Sequence, residues 1–222
     1  MANCMDKKMK MNTCEDCIHF EVCCYVDMFL PVCDSFKDKS KFIELHRDVL
    51  WHGSNQYIEG QLIPHKSFHY EPYVYATADI YYALVRAGKF NVNEPLLKED
   101  YDGNTYTLIE LSENAIENIF NTDGYIYVVD KEKFTHTKDC MCNEFISTEP
   151  CDIIDTLHIG NILDKMKHYN NFYKFIRYGS DKEKEYWKTV RGGKDGYLQR
   201  RKERIQKLMT HKNGVLDKVL EG

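Results

Sequence analysis

Between residues 48 and 162 the strand-forming residues come in short, separated runs, and this constrains the fold most. Asp48 to Trp51 (DVLW), Tyr73 to Ala76 (YVYA), Thr105 to Leu111 (TYTLIEL) and Tyr125 to Asp130 (YIYVVD) are rich in β-branched and aromatic residues and read as strands. Asn143 to Thr148 (NEFIST) and Ile153 to Ile162 continue the sheet. One helix signal is clean: Ile80, Ala83, Leu84 and Ala87 fall at i, i+3, i+4 and i+7, with Thr77 placed to cap and Gly88 to end it. A second, shorter helix is expected over Ser112 to Phe120, capped by Ser112 or Asn114 and closed at Asp123-Gly124. Strands scattered among short helices, without regular βαβ units, predict an α+β fold with a mostly antiparallel, split sheet.

Three segments are expected: a Cys-rich head over 1–40, the sheet domain over 41–165, and a helical, basic extension over 166–222, interrupted at Gly179 and at Gly192-Gly193. The net charge of −5 conceals a division between them. Residues 165–222 carry 16 Lys and Arg against 7 Asp and Glu, and the first 164 carry 14 against 28. An acidic body with a basic arm points to an acidic partner surface or a nucleic-acid backbone. The plainer reading is that QRRKERIQKL (199–208) is a solvated amphipathic helix, and both stay open. No apolar run approaches the length of a membrane span, and Met1 to Lys10 lacks the apolar core of a signal peptide. A cytoplasmic protein with no membrane partner is therefore expected.

In that compartment nine cysteines read as thiols or metal ligands. Six of them lie in the head, Cys4 and then Cys14, Cys17, Cys23, Cys24 and Cys33 close together, and the head is too small to fold on an apolar core of its own. Tetrahedral zinc wants four soft ligands, and a CxxC turn presents two thiolates to one ion. Cys14, Cys17, Cys23 and Cys33 are the expected ligands of a structural zinc, with Cys24 able to replace Cys23. Unrelated buried or surface thiols are the alternative.

Four features then follow in a meaningful order: His52-Gly53-Ser54 at a strand end, the Tyr75-Ala76-Thr77 strand exit, Tyr81 and Tyr82 at the start of the next helix, and Asn143-Glu144-Phe145 on a late strand. Singly, each is explained by packing or solvation. In this order LWHGS (50–54), VYATADIYYA (74–83) and NEFIS (143–147) resemble the motifs of the ADP-ribosyltransferase superfamily, in its diphtheria-toxin and poly-ADP-ribose-polymerase branch marked by His, Tyr and Glu. GYIYVVDKEKF (124–134) followed by NEFISTEP is also similar to small bacterial and phage members that begin LYHGS. The resemblance spans roughly 48–163 and leaves out the head and the arm.

The resemblance implies a split-sheet fold of that superfamily and a mono-ADP-ribosyltransferase that consumes NAD. Breaking the nicotinamide–ribose bond builds positive charge on the ribose, as in glycoside hydrolysis, and a carboxylate beside that ring lowers the barrier. By the resemblance Glu144 is that carboxylate and bonds the ribose hydroxyl. Oxidised nicotinamide is a flat cation, which aromatic faces attract by about 0.5–2 kcal/mol each. Tyr75 and Tyr82 are its expected stacking partners, with Tyr81 a substitute. His52 would bond the adenosine ribose, Gly53 would admit the nicotinamide amide close to the backbone, and Ser54 would assist. Glu149, an odd number of residues after Glu144, falls on the opposite strand face and cannot share its pocket. Cys142 stands where arginine-modifying members carry Glu or Gln, so the acceptor stays open between protein and nucleic acid. Two other readings remain. One is NAD-consuming RNA 2′-phosphotransferase chemistry, which would suit the basic arm. The other is a non-catalytic zinc- and nucleic-acid-binding module.

Overall fold

A computed structural model of the chain describes residues 48–65, 72–90, 96–136, 144–203 and 206. The expected zinc ligands Cys14, Cys17, Cys23 and Cys33 lie outside the described residues, as do Cys24, Cys140 and Cys142. In chain order the elements are β1 (Val49–Ser54), β2 (Gln61–Leu62), β3 (Val74–Thr77), α1 (Ile80–Arg86), β4 (Leu97–Tyr101), β5 (Tyr106–Glu110) and α2 (Ala115–Phe120). There follow β6 (Gly124–Asp130), β7 (Thr135–His136), β8 (Glu144–Ser147), β9 (Cys151–Ile159), α3 (Ile162–His168), β10 (Tyr173–Ile176) and α4 (Asp181–Thr189), then a helical stretch over 193–203.

Seven strands form one sheet in the order β2-β9-β6-β1-β3-β8-β7, all neighbours antiparallel. Three form a second, β10-β5-β4, in which β10 runs parallel to β5. The fold is α+β with mostly antiparallel sheet and short helices. Alternation along each strand assigns the faces. Ile126 and Ile159 of the larger sheet and Leu97, Tyr106, Leu108 and Tyr173 of the smaller one share a core with the apolar sides of α1, α2 and α3. Leu50, Val74, Ala76, Tyr127, Val129 and Cys151 make a second core on the other face of the larger sheet. A third joins Ile109 and Leu111 to Trp187 of α4 and to Tyr197 and Leu198 of the 193–203 stretch. No helix among the described residues is long and apolar enough to cross a membrane.

Several local expectations need correcting. Helix α1 is capped by Asp79, whose Oδ1 accepts from the backbone N–H groups of Tyr81 and Tyr82, while Thr77 Oγ1 accepts from the Asp79 N–H. Asn114, not Ser112, stands at the N-cap position of α2, but it is left-handed, with φ 58°, and its side chain does not cap the helix. The buried carboxylate of Glu110 accepts the Ile116 N–H instead. The strand expected to reach Ile162 ends at Ile159, and Ile162 opens α3 behind the Asn161 cap. The boundary expected at residue 165 falls within α3, and just beyond it the chain forms strand β10 rather than helix. Gly192 and Gly193 mark the break between α4 and the 193–203 stretch, while Gly179 lies between strand β10 and α4 and interrupts no helix; all three have positive φ.

Candidate active site

The three motif segments fold onto three neighbouring strands, β1, β3 and β8. Trp51 pairs with Thr77, and Thr77 pairs with Glu144. These residues therefore stand in a row on one face of the sheet, at steps of about 5 Å. The pairings on either side are long: β1 runs against β6 for six residue pairs and β3 against β8 for four. Between β1 and β3 only the Trp51–Thr77 pair is in register. Beyond it no further pair of the two strands is in register, an opening in the ladder that a side chain spans. His52 Nδ1 donates to the Tyr75 carbonyl at 2.6 Å. Because a carbonyl only accepts, Nδ1 carries the proton and Nε2 keeps its lone pair. Burial holds the His52 pKa below the usual imidazole value, offset in part by the bond to Tyr75, with His65 pushing in the same direction as burial.

The structure brings the three motifs together but not all of their side chains. Alternation along β1 turns His52 away from the face of Trp51, and its ring lies 6.1 Å from that of Tyr127, in the second core. The imidazole and the Glu144 side chain thus belong to opposite faces, on either side of the β1–β3 opening. Gly53 points its α-hydrogen side at α1, where a Cβ would come within 1.9 Å of the Ala83 carbonyl oxygen and 2.7 Å of the Ala87 nitrogen. Close packing of helix on strand already requires this glycine, and α1 occupies the space above it. Ser54 ends β1 and accepts from the Gln56 N–H.

The tyrosines divide. Tyr75 is half-buried, with its ring edge-on to Tyr73 at 6.0 Å. Tyr81 stacks on Phe172 at 3.9 Å and meets Tyr169 and Tyr173 edge-on. Tyr82 is buried, stacked with Tyr106, and accepts a 2.5 Å hydrogen bond from Arg86 Nη2. Glu149 lies past the end of β8, exposed, in a turn closed on Ser147.

Two further charged residues belong here that the sequence reading did not single out, Arg86 and Glu99. Arg86 follows Tyr82 by four positions, so both lie on one side of α1. Its guanidinium forks onto Glu99, at 2.7 and 3.2 Å. Burial works against the Arg86 charge, but Glu99 and Tyr82 hold its pKa above the usual arginine value. The helical spacing was visible in sequence. The pairing to β4 was not, because LKEDY carries no apolar run.

Some of the described cations of the basic arm are bonded within the fold, while others, such as Lys174, Lys184 and Lys188, are exposed. Arg177 bonds Glu110 and Glu117, Lys194 bonds Glu183, and Arg201 donates to the Leu97 carbonyl and the Tyr197 hydroxyl. Among the described residues no group of three or more His, Cys, Asp and Glu is placed to hold a metal ion. No family model matches the chain, and no curated protein or solved structure does.

Proposed function

We propose that this protein is an NAD-dependent mono-ADP-ribosyltransferase of the His–Tyr–Glu type, moving ADP-ribose to a protein or nucleic-acid acceptor and releasing nicotinamide. One observation carries the reading. The ladder of the larger sheet is reduced to a single register pair between the strand that bears His52 and the strand that bears Tyr75, with Glu144 paired across from the Tyr75 strand. A split sheet is what the motif order implies, and this break in the ladder supports a ligand bound there.

In this reading the dinucleotide threads the gap. The Nε2 lone pair of His52 accepts a ribose hydroxyl, and the backbone at Gly53 offers its polar groups to the nicotinamide amide. The stacking role falls to Tyr75, because the rings of Tyr81 and Tyr82 are taken up by the core. The bond between ribose C1′ and the nicotinamide nitrogen breaks, and its electron pair neutralises the pyridinium. The acceptor's lone pair then bonds C1′ and its proton leaves to solvent. Glu144 stabilises the cationic ribose between these events. The Cys14, Cys17, Cys23, Cys33 zinc remains part of the proposal as a structural staple outside this chemistry.

The test is transfer of labelled ADP-ribose from NAD in a cell lysate. Glu144→Gln is expected to keep the fold and lose transfer by at least about 100-fold. Undiminished labelling by that variant overturns the assignment.

A further inference from the structure

Helix α1 packs on the face of the larger sheet that Trp51, Gly53, Thr77 and Glu144 share, and it carries Tyr82 and Arg86 one turn apart. They are not independent. Arg86 Nη2 donates to the Tyr82 hydroxyl at 2.5 Å and to Glu99 Oε2 at 2.7 Å, and Nη1 donates to Glu99 Oε1 at 3.2 Å. The guanidinium also lies 4.7 Å from the centre of the Tyr82 ring and 5.7 Å from that of Phe90. Its orientation is therefore fixed from three sides, by helix α1, strand β4 and the segment after α1.

The bonded cluster holds one cation, one phenol and the carboxylate of Glu99, and a second carboxylate, Glu144, stands on the sheet face that α1 covers. Its charge acts on both Tyr82 and Arg86. Glu99 already occupies the fork of the guanidinium. The Tyr82 oxygen accepts from Arg86, which leaves the phenolic proton to be donated elsewhere. Burial, with the two carboxylates, pushes the Tyr82 pKa up to about 12 even against Arg86, so the phenol keeps that proton across the physiological range. The acceptor chemistry that fits is a carboxylate, and Glu144 is the one whose strand runs beside the end of β3, where α1 begins.

We propose that Tyr82 and Arg86 are positioning residues for Glu144: a phenol and a guanidinium, braced against β4 by Glu99, that hold the carboxylate at the mouth of the β1–β3 opening. The consequence for turnover rests on the transferase reading, whereas the placement of the carboxylate does not. The arrangement also gives Tyr82 a purpose that stacking on a ligand would not, since its ring is closed in by Tyr106.

The test titrates the Glu144 carboxyl carbon by NMR in the full chain, with the resonance identified by its loss in Glu144→Gln. Removing the neighbouring positive charge in Arg86→Gln is expected to raise the midpoint by about one pH unit, with Arg86→Lys restoring most of it. Tyr82→Phe keeps the ring against Tyr106 and removes only the hydroxyl, so it carries the test if the loss of Glu99's partner unfolds Arg86→Gln. It too is expected to move the midpoint upward. Midpoints unchanged in the folded variants overturn the proposal. In the NAD assay the same variants should lose kcat on the order of 10-fold or more with KM little altered. A wild-type chain that turns over no NAD removes the transferase reading alone, because the titration still decides the positioning.

Discussion

His52 shows how one side chain serves structure and site together. Its Nδ1–H closes the gap that the backbone leaves between β1 and β3, and its ring packs toward Tyr127. Burial lowers its pKa, the Tyr75 carbonyl resists that shift, and His65 adds to it. The sign of the pH dependence follows. The folded chain holds this imidazole neutral, while the unfolded chain protonates it near pH 6.5. The stability it contributes is complete above about 6.5 and is lost as pH falls through the lower, folded value. Urea unfolding should therefore show a midpoint that declines between pH 7 and pH 5. His52→Phe should flatten that part of the decline, and an unaltered decline would assign it to other groups. The same protonation consumes the Nε2 lone pair proposed for the ribose hydroxyl.

At the scale of elements, packing decides what local pattern leaves open. Strands β1, β3, β5 and β6 were legible because their β-branched and aromatic runs exceed what a turn or helix of that length would carry. Strand β4 was not, since LKEDY sets three consecutive charged residues between Leu97 and Tyr101 and becomes a strand by pairing with β5 along its whole length. Strand β10 was hidden in a segment whose charge suggested helix, and its parallel partner β5 lies more than sixty residues earlier. The adjacency of the His, Tyr and Glu motifs could be anticipated from their order. Their faces could not, because the side on which His52 or Glu144 stands depends on a register visible only in the paired sheet. Helix α4 is the element whose stability is most concentrated in one residue. Its buried Glu183 accepts from Lys194 Nζ at 2.7 Å, the Trp187 indole at 3.0 Å and the Gly179 N–H at 2.6 Å. Burial would raise its pKa, but these donors, Lys194 first, bring it below the ordinary glutamate value. Glu183→Gln is expected to cost about 2–3 kcal/mol in chemical unfolding at pH 7. The difference from wild type should shrink as pH falls through the depressed carboxylate value, because protonation removes the same charge. A loss that persists undiminished in acid would show that shape, not charge, is what Gln fails to supply.

Over the whole molecule part of the charge division is met by internal bonds. Arg177, Lys194 and Arg201 of the basic arm bond groups of the acidic body or of α4, and the outward side of the 193–203 stretch mixes Arg200 and Lys202 with Asp195 and Glu203. Through Arg177, Lys194 and Arg201 the arm is tied to the rest of the fold, while Lys174, Lys184, Lys188 and Arg191 stay exposed. The first forty residues pose a separate energetic problem. They hold six cysteines and are too short a stretch to order on an apolar core of their own, so any ordered state needs free energy from another source. Zinc bound by four thiolates supplies on the order of 10 kcal/mol at neutral pH, enough to order a segment of that size. Metal analysis of the full chain purified without chelator should find about one zinc per chain, lost in the Cys14→Ser, Cys17→Ser double variant. Proton release on zinc addition to the chelated protein should accompany rebinding, since the thiols must ionise to ligate. A folded chain that carries no zinc and takes up none would reduce the head to ordinary thiols, and would leave the sheet opening and its glutamate to be judged by their own experiments.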